Sequence, residues 1–226
     1  MKRKIKFLGL TCIAVFALSA IAAASASADE FVPEAGTFPI PFTSTSGSGT
    51  LETTSGETVT CKSDTNEGSL LSAMTFSVIV KFKGCSTTFF GFPIACKTKG
   101  AGAEEIVTKT LDGELGTNAA KKVLADLKGE GAEEVVAEFE CLGNTVKVTG
   151  SVIGVFPNTG VFLHETELVL KQTKGVQEFT EYINTEGKTI KNVLSSSKNG
   201  GTKVQSGETT TDKIVLSEAG RKVKIQ

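Results

Sequence analysis

The sequence predicts an all-β protein, a single antiparallel sandwich or barrel held by two disulfides. Three observations carry that prediction: apolar residues recur with a period of two, turn residues punctuate the chain, and four cysteines follow an export signal.

The period is clearest in three runs. Met74, Phe76, Val78, Val80 and Phe82 alternate with Thr75, Ser77, Ile79, Lys81 and Lys83. Val135, Ala137, Phe139 and Cys141 alternate with Glu134, Val136, Glu138 and Glu140, and Val146, Val148 and Val152 alternate with Thr145, Lys147, Thr149 and Ser151. Strand side chains point to opposite faces in turn, so each run has one buried and one mostly wet face. A wet face implies antiparallel pairing, since parallel sheets are covered on both sides. Shorter runs of the same kind lie at residues 59–61, 105–110, 166–172, 176–182, 213–216 and 222–225.

Turn residues separate these runs: Thr53-Thr54-Ser55-Gly56, Asn66-Glu67-Gly68, Asp112-Gly113, Gly143-Asn144, Asn158-Thr159-Gly160, Glu186-Gly187 and Asn199-Gly200-Gly201. Short strands broken by Gly and Asn mark a sandwich or barrel. Residues 118–128, with Ala119, Ala120, Val123, Leu124 and Leu127, read equally as one short helix or as a strand.

The N-terminus reads as a signal peptide over residues 1–28. Lys2, Arg3, Lys4 and Lys6 precede an apolar run at residues 7–24, and Ala26-Ser27-Ala28 supplies small residues where signal peptidase cuts. Cys12 falls within the removed segment. Residues 29–50, with Pro33, Pro39, Pro41 and a Ser/Gly stretch, read as an extended N-terminal arm, and residues 51–226 as the β-domain. No later apolar stretch is long enough to span a bilayer. The C-terminal Arg221-Lys222-Val223-Lys224-Ile225-Gln226 is no wall-sorting signal, so the expectation is a released, extracellular protein.

Removing the four signal-peptide charges from 24 basic residues leaves 20 against 25 acidic ones, a net charge of −5. That balance, with no basic patch, argues against nucleic acid and anionic membrane as partners.

Cys61, Cys85, Cys96 and Cys141 remain in the exported chain, and an even count there reads as two disulfides. No close C-x-x-C pair occurs and the chain has one histidine, so no metal or other cofactor is expected. The pairing expected is Cys61 with Cys85 and Cys96 with Cys141. Cys61 shares parity with inward Val59, and Cys141 with inward Phe139. Cys85 follows the strand ending near Lys83, which can return beside the strand carrying Cys61. Cys85 with Cys96 is the competing arrangement.

Candidate chemistry is sparse, and no catalytic residue is assigned. His164 lacks the partners a metal site needs, and a lone histidine at a strand end reads as a bystander. Glu134, Glu138 and Glu140 project from one strand face at a spacing that loosely suits a paired-carboxylate hydrolase. That face reads as solvated, and its charges guard against edge aggregation. Asp64-Thr65-Asn66-Glu67-Gly68 imitates the start of a calcium loop, but Thr75 stands where the final acid belongs, so a hairpin turn is the simpler reading. Phe89, Phe90 and Phe92, between Cys85 and Cys96, read either as a plug for one end of the core, the favoured reading, or as a hydrophobic contact surface.

Several stretches read together: Thr58-Val59-Thr60-Cys61-Lys62-Ser63-Asp64-Thr65, Phe82-Lys83-Gly84-Cys85, Glu105-Ile106-Val107-Thr108, Gly113-Glu114-Leu115-Gly116, Val148-Thr149-Gly150-Ser151-Val152-Ile153-Gly154 and Lys171-Gln172-Thr173-Lys174-Gly175-Val176-Gln177-Glu178. In order and wording the chain resembles a paralogous group of secreted proteins of soil actinobacteria with no assigned activity, and the likeness fades after about Glu178. The resemblance implies a bacterial exported protein and carries no activity.

The leading expectation is a non-catalytic extracellular binding or envelope-associated domain with a protein or cell-envelope partner. The alternatives are a barrel carrier of a small apolar ligand, its cavity lined by phenylalanines, and a carboxylate-dependent hydrolase. An internal void of several hundred Å³ would mark the carrier, and a cleft with converging carboxylates the hydrolase.

Overall fold

A computed structural model describes residues 29–226, and the export signal read over residues 1–28 lies outside them. The described chain is all strand and loop, with no helix. Its centre is a closed antiparallel barrel of eight strands. In order around the ring these are Ile40–Ser46, Ser63–Leu70, Thr75–Lys83, Leu111–Thr117, Val123–Lys128, Ser151–Val155, Glu165–Leu170 and Val204–Leu216, and the last pairs back with the first.

Seven further strands, with part of one barrel strand, close a second ring. Its order is Gly49–Thr53, Thr58–Cys61, Ser86–Phe89, Phe92–Lys97, Val135–Cys141, Asn144–Thr149, Ser195–Lys198 and the first half of Val204–Leu216, which thus runs through both rings. The second ring is thinly paired at two seams. Thr60 opposite Ser86 is the sole registered pair at one, and Glu140–Lys97 and Cys141–Cys96 are the two at the other. A disulfide reinforces each seam: Cys61–Cys85, with Cα atoms 4.0 Å apart, and Cys96–Cys141, at 4.4 Å. The expected pairing holds. The competitor fails although Cys96 N–H donates to the Cys85 carbonyl at 2.9 Å, because each sulfur turns to the strand outside the hairpin.

The two ends of the molecule differ. At the far end of the first barrel, Phe31–Pro33, Val223–Ile225 and Phe162–Leu163 form a small sheet. Phe31 meets Phe76 and Phe156 edge-on there, with ring centroids 5.9 and 6.3 Å away. The two ends of the described chain therefore plug that end. The second ring is open at its outer end.

Parity placed most of the core, although Met74, assigned to the buried face, is exposed just before the strand begins. Phe76, Val78, Val80 and Phe82 line the interior with Ala137 and Phe139. A β-bulge between Val135 and Ala137 lets Val136 face inward as well, so alternation fails there.

Two expectations need correction, and one open reading is decided. Residues 29–50 are extended but are no arm. Ile40–Ser46 pairs on both sides within the barrel, and Pro41 is tolerated because pairing with Val204–Leu216 begins only at Phe42. Of the two readings of residues 118–128, the strand holds and the helix does not. Asn118 caps a turn through its side chain, and Val123–Lys128 is a strand with both faces covered. Leu124 packs outward with Ile153 and Tyr182, under the excursion that carries Phe179 and Ile190. Finally, Asn66-Glu67-Gly68 and Asp112-Gly113 are mid-strand, not turns. A Cβ on Gly68 would stand 2.3 Å from the Phe42 ring, and one on Gly113 2.3 Å from the Phe76 ring. These glycines make room for aromatic rings in the barrel.

Candidate functional site: the open mouth of the second ring

The open end holds a bowl of about 620 Å³, within the range typical of ligand sites. Hairpin tips at Gly56, Phe89, Leu142 and Lys198 surround it. Its floor is apolar, made by Leu51, Val59, Val146 and Val204, and the strands and turns around it contribute several Thr and Ser residues to the lining. Leu51 and Val59 also line an inner cavity of about 90 Å³ and so partition the bowl from the barrel interior.

Several wall groups are already engaged. Thr53 Oγ1 accepts from Glu57 N at 3.0 Å and shapes its turn, and Thr87 Oγ1 donates to the Thr58 carbonyl at 2.7 Å. Ser196 Oγ, on the inner face, accepts from Ser206 Oγ at 2.7 Å, whereas the registers turn Thr58 outward with Glu52, Ser197 outward with Lys147 and Thr88 outward with Ser86. Glu57 and Lys198 are the only charged residues of the lining.

The aromatic hairpin rises on one wall. Phe89 is 48 % exposed, Phe90 86 % and Phe92 70 %, so the favoured plug reading is overturned: these rings stand outside the core. Both disulfides clamp the base of the hairpin, one on each strand. Its two-residue loop has φ of +48° at Phe90 and +84° at Gly91, the signature of a type I′ turn, whose first position favours Asn, Asp or Gly. Leu142-Gly143, joining the next pair of strands, repeats the pattern with φ of +50° and +72°. The nearby Asn199-Gly200 turn, at +51° and +70°, carries the residue that the geometry prefers. Two of these three tips therefore hold a large, exposed apolar side chain where local backbone chemistry asks for a small polar one, a placement that packing does not explain. The hairpin's free edge is blunted by Pro93, which has no N–H to offer an added strand, so contact there runs through side chains.

A second polar arrangement lies inside the first barrel. Asn66 Nδ2 is within hydrogen-bonding distance of Ser44 Oγ (2.8 Å), Asp64 Oδ1 (2.9 Å) and Asp212 Oδ1 (2.7 Å), and Ser46 Oγ donates to Asp64 Oδ2. Burial, then the charges of Asp64 and Glu208, pushes Asp212 up to about 8. Burial, then the Asp64 charge, pushes Glu208 up to about 7. These carboxyls do converge, as a hydrolase requires, but in no cleft: Asp64 is 2 % exposed within a closed barrel. The adjoining cavity of about 90 Å³ falls short of the several hundred Å³ that a carrier needs. Phe42, Phe76 and Phe139 pack in the core around that small cavity.

The other expected sites stay apart from the bowl. His164 Nδ1 donates to the Arg221 carbonyl at 2.9 Å, near the closed end. Glu134 pairs with Lys128 at 2.8 Å, and Glu138 and Glu140 are exposed on an outer face. Asp64 and Asn66 belong to the internal cluster, and Glu67 pairs with Lys81 outside, so the calcium-loop imitation has no common centre. Among the described residues no three His, Cys, Asp or Glu side chains converge as metal ligands do.

Sequence reasoning missed the bowl because its lining is gathered from strands and turns far apart in the chain. The one available signal was a large apolar residue before Gly at a hairpin tip, as in Phe90-Gly91 and Leu142-Gly143. No family model, curated protein or solved structure matches the chain.

Proposed function

We propose that the chain is a secreted, non-catalytic binding domain that meets a cell-envelope partner at the open mouth of its second ring. The observation that carries this reading is the hairpin tip: Phe90 is 86 % exposed in a left-handed conformation, on a ribbon clamped at its base by two disulfides. A rigid scaffold presenting strained, exposed apolar tips around a ligand-sized bowl suits recognition. The bowl has one carboxylate, one ammonium and no histidine, which gives acid–base chemistry little to work with. The two disulfides and the absence of a membrane-crossing helix among the described residues fit an extracellular setting.

Co-sedimentation with isolated actinobacterial cell envelopes tests the reading. The wild-type chain sediments with them, and the Phe90→Ser/Phe92→Ser variant stays in solution with a nearly unchanged melting temperature. Equal sedimentation of the two proteins, or none by the wild type, refutes it. So does a stability loss of about 3–5 kcal/mol, the mark of a truncated buried ring.

A further inference from the structure

We infer that the tip of the aromatic hairpin is a lipid-docking wedge, which sinks Phe90 and Phe92 into the surface of a bilayer and holds the mouth against it. The inference rests on the binding role proposed above and names the partner's chemistry: the headgroup and upper acyl region of a lipid leaflet.

Three features select a lipid surface. First, the hairpin is uncharged over its whole reach, since residues 86–95 contain no Asp, Glu, Lys or Arg. Every residue from Thr88 to Pro93 is exposed. The Thr88–Pro93 and Phe89–Phe92 pairs and the turn beyond them stand about 7–10 Å high, which matches the depth to which interfacial elements sink. Docking of this kind needs no membrane-spanning segment.

Second, the tip is built to leave water. Phe90 and Phe92 are largely exposed and Phe89 half so, and each ring gains free energy on moving into an apolar medium. Leu142 is exposed on the next hairpin, to which the first is bonded through Cys96–Cys141. On the hairpin's free edge Pro93 brings no N–H that lipid would leave unpaired. A protein groove would select its partner by directional hydrogen bonds, and Thr88 is the one polar side chain from Thr88 to Pro93. A fluid lipid surface asks for none.

Third, charge at this end does not oppose a membrane. The chain's net negative charge lies elsewhere. Lys62, Lys83, Lys97 and Lys99 are exposed around the disulfide clamp, behind the uncharged tip. Glu105 stands opposite Lys83 and Glu140 opposite Lys97, with Glu104 beside Cys85. At the rim, within residues 53–58 and 196–203, Lys198 and Lys203 outnumber Glu57. Long lysine stems at that height reach lipid phosphates while the rings go deeper.

The chain has no tryptophan, so Phe90→Trp places a single fluorophore at the tip and Phe162→Trp one at the closed end. Disulfide-intact wild type and variants are mixed with phosphatidylcholine vesicles, with or without roughly one quarter phosphatidylglycerol. Wild type floats with both, and salt between about 50 and 500 mM changes its partitioning less than about 3-fold, because apolar side chains carry it. The Phe90→Trp emission shifts to the blue and is quenched by lipids brominated high on the acyl chain, while that of Phe162→Trp is unchanged. Phe90→Ser/Phe92→Ser lowers partitioning about 30-fold or more at a nearly unchanged melting temperature.

Failure to float with either vesicle, while Phe90→Ser/Phe92→Ser still abolishes envelope sedimentation, overturns the lipid partner and leaves the binding role standing. Flotation unaffected by that double substitution, or a blue shift in Phe162→Trp and not in Phe90→Trp, overturns the hairpin as the docking element. Envelope binding that survives extraction of lipid, but not protease treatment, assigns the tip to a protein partner and overturns the inference.

Discussion

Replacing Phe90 with Asn separates a functional tip from a structural one. Phe90 occupies the first central position of a two-residue turn with φ of +48°. A bulky L-residue in that region costs about 1–2 kcal/mol relative to its relaxed conformation, and Asn relieves most of this because its short side chain tolerates the left-handed region. Against the gain stands the lost edge-on contact with Phe89, at 4.4 Å. Such pairs are worth about 0.5–1.5 kcal/mol, and the lower figure applies to a ring as exposed as this one. The transfer loss is small, because Phe90 is 86 % exposed. The balance is a stabilisation of about 0.5–1 kcal/mol, or a rise in melting temperature of about 1–4 °C for a chain of this size. Urea and thermal denaturation of the disulfide-intact protein measure it, and envelope co-sedimentation of the same variant reports the lost contact. A variant that is less stable than wild type by about 2 kcal/mol or more would show that the ring packs, and the argument from strain and exposure would fall.

Other outcomes follow from the interior, the seams and the N-terminus. Glu208 and Asp212 titrate at about 7 and 8 when folded, above their unfolded values, so their contribution is complete at acid pH and is lost as pH rises through those values. The urea midpoint therefore falls between pH 5 and pH 9, and Asp212→Asn flattens that dependence; a midpoint that rises over this range contradicts the buried cluster. Cys96→Ala with Cys141→Ala opens one seam of the second ring and lowers stability by about 3–4 kcal/mol. Amide exchange then accelerates at Phe92–Lys97 while Leu111–Thr117 keeps its protection, and equal acceleration in both would mean that the rings do not separate. Intact-mass measurement of the exported chain finds Asp29 at its N-terminus; retention of Met1 would remove the case for secretion.

The sequence made the strands and the disulfides legible wherever one face is wet. The residue types of Thr75–Lys83 alternate, and Phe76 and Val78 are buried as that period requires, while the parity of Cys61 and Cys141 set the bridges. Legibility failed where a strand is covered twice. Val123–Lys128 is buried from Val123 to Leu127, so its apolar run carries no period and imitates a helix. It failed again where a glycine serves an aromatic ring, since Gly68 and Gly113 look like turn residues until Phe42 and Phe76 are seen across from them. The hydrophobic tip was visible as an oddity between two cysteines. Whether Phe90 faced in or out was not, because that depends on what closes each end of the barrel. The two ends of the described chain close one end of the barrel through Phe31, which leaves Phe90 free at the other.

Hydrogen–deuterium exchange with and without isolated envelope material tests the central claim most directly, because it locates the contact without assuming it. The account predicts slowed exchange around the mouth, at residues 53–58, 87–95, 141–145 and 196–203, and unchanged exchange at Phe31–Pro33, Phe162–Leu163 and Val223–Ile225. Protection confined to the closed end, or to the outer excursion around Tyr182, would contradict it.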